Sequence, residues 1–187
     1  LIDPCEQVPV EGDLLAILCT HHHSDHTAAI PSYTVPVYGP SDERIPNLTN
    51  PLSDGDEGVI GPFSFRAIAT PGHTVPAMSY YFPEERLLFS GDTLFAAGCG
   101  RLFEGDAEMM WRSLERLAAL PSETVVAPGH DYLERNLDFI AKNVPNAPQR
   151  EQKTSRLTTI GVERKTNPFI GCDLETFTAR RRARDDF

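Results

Sequence analysis

Residues Leu14 to His26 read LLAILCTHHHSDH. The first six form an unbroken apolar run, the pattern of a strand buried on both faces. The last six hold four of the chain's six histidines and an aspartate. Imidazoles at that density are hard to place in a core and unnecessary on a surface. A remnant tag would sit at a terminus, not inside the chain behind a strand.

The pattern repeats outward from there. Phe65–Gly72 (FRAIATPG) leads into His73, Thr124–Gly129 (TVVAPG) into His130, and Arg86–Gly91 (RLLFSG) into Asp92. Each run has strand character and ends in a glycine-bearing turn. Loops leaving one edge of a sheet converge in space, and rigid scaffolds carry their sites there. Taken singly, His73 or His130 reads as a hydrogen-bonded loop residue and Asp92 as a turn cap. Four strand ends with the same chemistry point instead to a metal. Imidazole and carboxylate donors together suit zinc, iron or manganese.

Other runs fill in the frame. VPVYG is a short strand, and AMSYYF and RLLFSGD form a hairpin joined through PEE. In DAEMMWRSLERLAALP, Asp106 suits a helix N-cap, Met110, Leu114, Leu117 and Ala118 form one stripe, and Pro121 ends the helix. In HDYLERNLDFIAKN, Leu133, Leu137 and Ile140 recur at helical spacing. Val144 to Thr159 is polar and proline-bearing and reads as irregular, so a boundary is placed there: 1–143 as the catalytic domain, 144–187 as a partly helical C-terminal segment.

THHHSDH resembles the T-H-x-H-x-D-H signature of the metallo-β-lactamase superfamily. TPGHT, SGDTLF and PGHDY resemble its later metal-binding motifs, in the same order. The resemblance covers residues 1 to about 140 and implies an α/β protein, an αββα sandwich with a short C-terminal helical segment. It implies that His21, His23 and His73 hold one metal, that Asp25, His26 and His130 hold a second, and that Asp92 bridges them. His22 falls at the variable position. Two divalent ions about 3.5 Å apart make a bridging water acidic enough to serve as hydroxide at neutral pH. Asp25 is expected to orient that hydroxide and so to be catalytic. Zinc is the expected metal, with iron or manganese accepted by the same donors.

The metal motifs do not choose a substrate. GDTLFAAGCGRLFEGDAEMM resembles the glyoxalase II (hydroxyacylglutathione hydrolase) family, in which a G-C-G-[RK]-x-[FY]-E-G stretch helps bind glutathione. ERKTNPF and the terminal RRRARDDF resemble that family's C-terminal helical region. The resemblance implies glutathione contacts at Arg101, Phe103, Tyr132, Arg181 and Arg184, with Phe103 standing where some relatives have tyrosine. Arg101 offers a planar fork that suits a carboxylate. The expected reaction is hydrolysis of the thioester S-D-lactoylglutathione to glutathione and D-lactate. Cys99 in the same loop has no spare histidine to activate it. An iron-dependent glutathione persulfide dioxygenase is the alternative, and a phosphodiesterase or nuclease of the superfamily a third reading.

Composition narrows the field further. The 187 residues are 40% hydrophobic and 24% charged, with a net charge of −10. Residues 150–187 carry nine Lys/Arg against six Asp/Glu, so the acidity lies in the remainder. An acidic body argues against nucleic acid as partner. The longest apolar run, Leu14 to Cys19, is far short of the roughly 18 residues that cross a membrane. Four scattered cysteines fit a reducing, cytoplasmic setting and no disulfide scaffold. A monomer is expected. Relative to the family, N-terminal strands are absent, CEQVPVEGD replaces a helix between Pro4 and Leu14, and TAAIPSY shortens another after His26. The sequence therefore reads as ordered pieces joined across missing residues, since a sheet stripped of its cover should aggregate.

Overall fold

Side-chain alternation along short strands sorts this chain into layers. The structure, a computed structural model, describes residues 1–148, 150 and 155–187. In chain order the elements are β1 (Ile17–Leu18), α1 (Ser24–Thr27), β2 (Val37–Pro40), β3 (Asn50–Leu52), β4 (Glu57–Ile60), β5 (Phe63–Ala69), β6 (Met78–Phe82) and β7 (Leu87–Gly91). They continue with β8 (Leu94–Phe95), β9 (Gly98–Cys99), α2 (Ala107–Ala118), β10 (Val125–Pro128), α3 (Leu133–Asn143), β11 (Thr158–Thr159), α4 (Ile160–Thr166) and α5 (Leu174–Asp185).

Among the described residues, β1, β2 and β3 form a parallel sheet, and a six-stranded mixed sheet runs in the order β11-β10-β7-β6-β5-β4. Ile17 faces outward with Ile30, Val37 and Ile45. Its neighbour Leu18 faces inward, packing with Phe65, Ala67, Met78, Tyr80 and Phe82 of the large sheet. On the far face of that sheet, Ile68, Tyr81, Leu88 and Val126 pack against Met110, Leu114 and Leu117 of α2. Two sheets face each other and helices cover the outside, the αββα sandwich expected from the motifs.

The strand directions create the site. β5 is antiparallel to β6, β6 antiparallel to β7, and β7 parallel to β10. Hence β5, β7 and β10 all end on the same edge, and the loops bearing His73, Asp92 and His130 meet there. β1 delivers His21 to the same edge, where Met78 N–H donates to Thr20 O at 2.9 Å and buried Tyr80 Oη donates to Cys19 O at 2.6 Å.

The helices follow their sequence signals with one shift. Asp106 caps α2 by accepting from Met109 N–H at 2.8 Å, an interaction worth about 1 kcal/mol, and the expected stripe is buried. In α3 the buried positions are Leu133, Asn136, Phe139 and Ile140, with Leu137 only partly covered. Asn136 enters the stripe because its amide donates to Ala96 O and its oxygen accepts from Arg184.

Two expectations need correction. The LLAILC run is not a six-residue strand: only Ile17 and Leu18 find the register of β2, and Leu15 is exposed. Within Val144–Thr159, read as irregular, Thr158 and Thr159 form β11 against β10; Gln149 and residues 151–154 lie outside the described residues. The C-terminal segment also enters the main core. Ile160, Phe169 and Phe177 join the cluster around Leu114 and Leu88. Fully buried Glu163 accepts hydrogen bonds from Ala97 N–H, Asn167, Thr158 and Arg150.

Candidate metal centre

The seven expected ligand residues meet at one sheet edge. His21 Nε2, His23 Nδ1 and His73 Nε2 converge, with His23 Nδ1 lying 3.1 Å from His21 and 3.0 Å from His73. His26 Nε2 stands 3.2 Å from His130 Nε2, and His130 Nε2 is 3.2 Å from Asp25 Oδ2. In each of the two groups the ligand atoms all fall within 4.8 Å of one another. Asp92 lies between them, 3.4 Å from His26 and 3.6 Å and 3.5 Å from His73 and His130.

Neighbouring groups fix which ring nitrogens face the centre. His73 Nδ1 donates to Arg101 O at 2.7 Å, leaving the lone pair on Nε2. His26 Nδ1 is 2.9 Å from Asp3 Oδ2, and His21 Nδ1 is 3.0 Å from Thr20 Oγ1. Asp3 also accepts from Thr20 N–H and Thr20 Oγ1. It therefore orients candidate ligands, although it lies close enough to His21 and His26 to make a third possible donor group. Such partners conventionally set the tautomer and orientation of a ligating histidine. Asp3 was not singled out in the sequence; its only signal is its place in LIDP.

Burial and mutual proximity hold the first group neutral. Burial pushes His21 far below its usual range and His73 down to about 4, and it lowers His23 as well. At His26 burial acts downward too, but the Asp3 bond and the charges of Asp3, Asp92 and Asp25 outweigh it and raise the pKa. Burial drives Asp92 up to about 6, against the pull of His26 and His130. Asp92 Oδ1 is buried without a hydrogen-bond partner among the described residues. Lone pairs of neutral imidazoles aimed at one another, beside an orphaned carboxylate oxygen, repel unless a cation lies among them. The donor set therefore fits divalent ions.

Two glycines admit this crowding. A Cβ on Gly129 would strike Asp92 Oδ1 and His26 Cε1, and one on Gly100 would strike Asp92 O. His22 turns away from the centre, to Asp42 Oδ2 at 3.2 Å and Glu104 Oε1 at 3.5 Å.

A cavity of about 480 Å³ opens from the centre, and all five expected glutathione residues line it. Phe103 is 61% exposed and sets its ring edge-on to His23 and His73. Tyr132 stacks on His130 with centroids 5.3 Å apart. Arg101 is exposed, with Nε 3.6 Å from Asp185 Oδ1. Arg184 binds the Asn136 oxygen and lies over the Phe139 and Phe187 rings. Arg181 differs from the others. It is 4% exposed and donates to Cys99 O, Gly100 O and Asp185, leaving only Nε without a partner. Cys99 is buried, and that burial raises its pKa, so no thiolate is offered.

Comparison with known proteins agrees with this geometry. Residues 30–130 match the metallo-β-lactamase superfamily. A hydroxyacylglutathione hydrolase of Nitrosomonas eutropha is 41% identical over 92% of this chain and 77% of its own length. Among solved structures, ETHE1 from Myxococcus xanthus superposes with a TM-score of 0.70 at 31% identity, covering 90% of this chain and 68% of that one. TTHA1623, solved in a di-iron-bound form, superposes with a TM-score of 0.65 at 29% identity, covering 90% and 88%.

Proposed function

Because the chain belongs to the metallo-β-lactamase superfamily and, within it, to the hydroxyacylglutathione hydrolases, we infer that it hydrolyses S-D-lactoylglutathione to glutathione and D-lactate. One observation supports the reading above others: a single cavity, lined by five of the seven candidate ligands (His23, Asp25, His73, Asp92 and His130), runs from both donor groups to a cationic, aromatic wall.

His21, His23 and His73 would hold one divalent ion, Asp25, His26 and His130 a second, and Asp92 would serve both. Bound there, such ions supply Lewis acidity that makes water nucleophilic at neutral pH and polarises a carbonyl. Zinc is the proposed metal; iron and manganese suit the same donors.

The chain's own groups do the rest. Asp25, beside His130 and open to the cavity, holds the attacking water and takes its proton. Arg101, Tyr132 and Arg184 hold the glutathione moiety, with Arg101 and Arg184 meeting carboxylates. Phe103 supplies an apolar face over the acyl end. Arg181, with its Nε buried and its other nitrogens bonded, fixes the Cys99–Gly100 wall rather than offering a free fork. Residues 144–187 are thus a glutathione-binding segment. The leaving thiolate is stable enough to depart without a dedicated acid. The complete second ligand set favours this reaction over a single-iron persulfide dioxygenase, and the net charge of −10 favours a small ligand over nucleic acid.

Among the described residues no helix is long and apolar enough to cross a membrane. The unpaired state of all four cysteines supports a cytoplasmic setting.

The test is thioester loss from S-D-lactoylglutathione by the metal-loaded protein. Turnover that disappears on Asp25→Asn supports the reading. No turnover at full metal occupancy, or oxygen uptake with glutathione persulfide, overturns it.

A further inference from the structure

We propose that Arg135 is a specificity-determining residue: with Arg184 it forms an unneutralised pair of guanidinium groups that receives one carboxylate of the glutathione moiety. The inference deepens the hydrolase reading and rests on it.

Arg135 lines the same cavity as the metal centre, Tyr132 and Arg184. It stands in the first turn of α3, three residues after the N-cap Tyr132. Arg184 reaches the same region from α5, where its guanidinium is bonded to Asn136, the residue next to Arg135.

The charges around the cavity are divided unevenly. Arg181 and Arg101 share the Asp185 carboxylate, at 3.0 Å and 3.6 Å. Among the described residues Arg184 has only the neutral oxygen of Asn136 and two aromatic rings. Among the described residues Arg135 makes no hydrogen bond or ion pair. Asp131, just before α3, accepts from Leu133 N–H instead, and Asp138, three residues on, makes no bond to Arg135. The proximity is felt: burial first, and then the Arg135 charge, lower the pKa of Arg184.

Two guanidinium groups facing one cavity without a carboxylate between them repel. In an otherwise acidic protein, a pair left in that state is arranged for an incoming anion. Glutathione carries two carboxylates and one ammonium group. Asp185 offsets only one of the Arg181 and Arg101 charges, so that side is left with a single positive charge for one carboxylate, and Arg135 with Arg184 is left for the other. A planar, forked donor on each of two helices is suited to grip a carboxylate from both sides. Because Arg135 is exposed, its substitution leaves the core untouched.

The experiment compares wild type, Arg135→Gln and Arg135→Lys on three lactoyl thioesters: those of glutathione, of γ-glutamylcysteine methylamide, which lacks only the glycine carboxylate, and of γ-aminobutyryl-cysteinylglycine, which lacks only the γ-glutamyl carboxylate. Loss of one charge-assisted contact raises KM about tenfold in Arg135→Gln, with kcat changed by less than about twofold. Arg135→Lys recovers part of the loss. The penalty vanishes on the truncated thioester that lacks the carboxylate held by Arg135 and persists on the other. An unchanged KM, or an equal rise on all three thioesters, overturns the proposal. Calorimetric binding of glutathione itself separates this from failure of the hydrolase reading. If wild type turns over no thioester, that reading falls. An equal Kd for wild type and Arg135→Gln sinks the present proposal, and a Kd weakened about tenfold sustains it.

Discussion

The backbone N–H of Ala97 donates to Glu163 Oε2 at 2.9 Å, across 66 residues of chain. This bond joins α4 to the turn between β8 and β9, where Ala97 adopts a left-handed φ of 60°. Asn167, bonded to the same carboxylate, donates to Gly98 O on the next residue. Cys99 and Gly100, carrying the cavity wall, follow directly.

Glu163→Ala removes a fully buried carboxylate paired with Arg150 and leaves Ala97 N–H without its acceptor. Breaking such a pair costs about 3–5 kcal/mol. At this chain length that lowers Tm by roughly 10 °C. Thermal unfolding followed by circular dichroism checks it, and Glu163→Gln should lose less because it keeps one acceptor oxygen.

Asp3→Asn leaves the fold intact but weakens the hold on His26 and Thr20. Loss of such a partner typically lowers metal affinity about 10–100-fold. Competition against a coloured chelator reads the change. The same affinity as wild type would show that Asp3 does not orient His26 for a metal.

Gly129→Ala places a methyl group against Asp92 Oδ1 and His26 Cε1. Both sides of the centre are affected, since Asp92 lies beside His26, His73 and His130. The expected outcome is a folded protein whose bound metal, counted by elemental analysis, falls well below that of wild type, with thioesterase activity falling in parallel.

Stripping metal with a chelator should lower Tm while far-ultraviolet circular dichroism stays native. The sheets are held by the layered core, whereas the imidazoles repel one another without a cation. Metal bound only by the folded state adds about 4 kcal/mol when present at 1,000 times its Kd. Re-addition of a divalent ion should restore both Tm and activity.

The candidate centre was legible in the sequence by itself. His21, His23, Asp25, His26, His73, Asp92 and His130 each stand just after a strand-like run, and strands that end on one edge of a sheet must bring their loops together. Individual strands were legible locally, as in the alternation that opens FSFRAIA, whereas the αββα layering was implied by the motif resemblance, since strand and helix order alone suits two sheets or one large sheet. The supports of the site were not legible. Asp3 reaches His26 across 23 residues, Glu163 reaches Ala97 across 66 and Arg181 reaches Cys99 across 82. No local spacing announces such contacts, because they exist only once the layers have packed. Tertiary structure also decided which cations remain open. Arg181 and Arg184 look alike in RRRAR, yet burial commits most of Arg181 to loop carbonyls, while among the described residues no carboxylate bonds Arg184 or Arg135, which line the cavity. A guanidinium's availability depends on which acceptors folding leaves beside it, and that is a property of the packed chain.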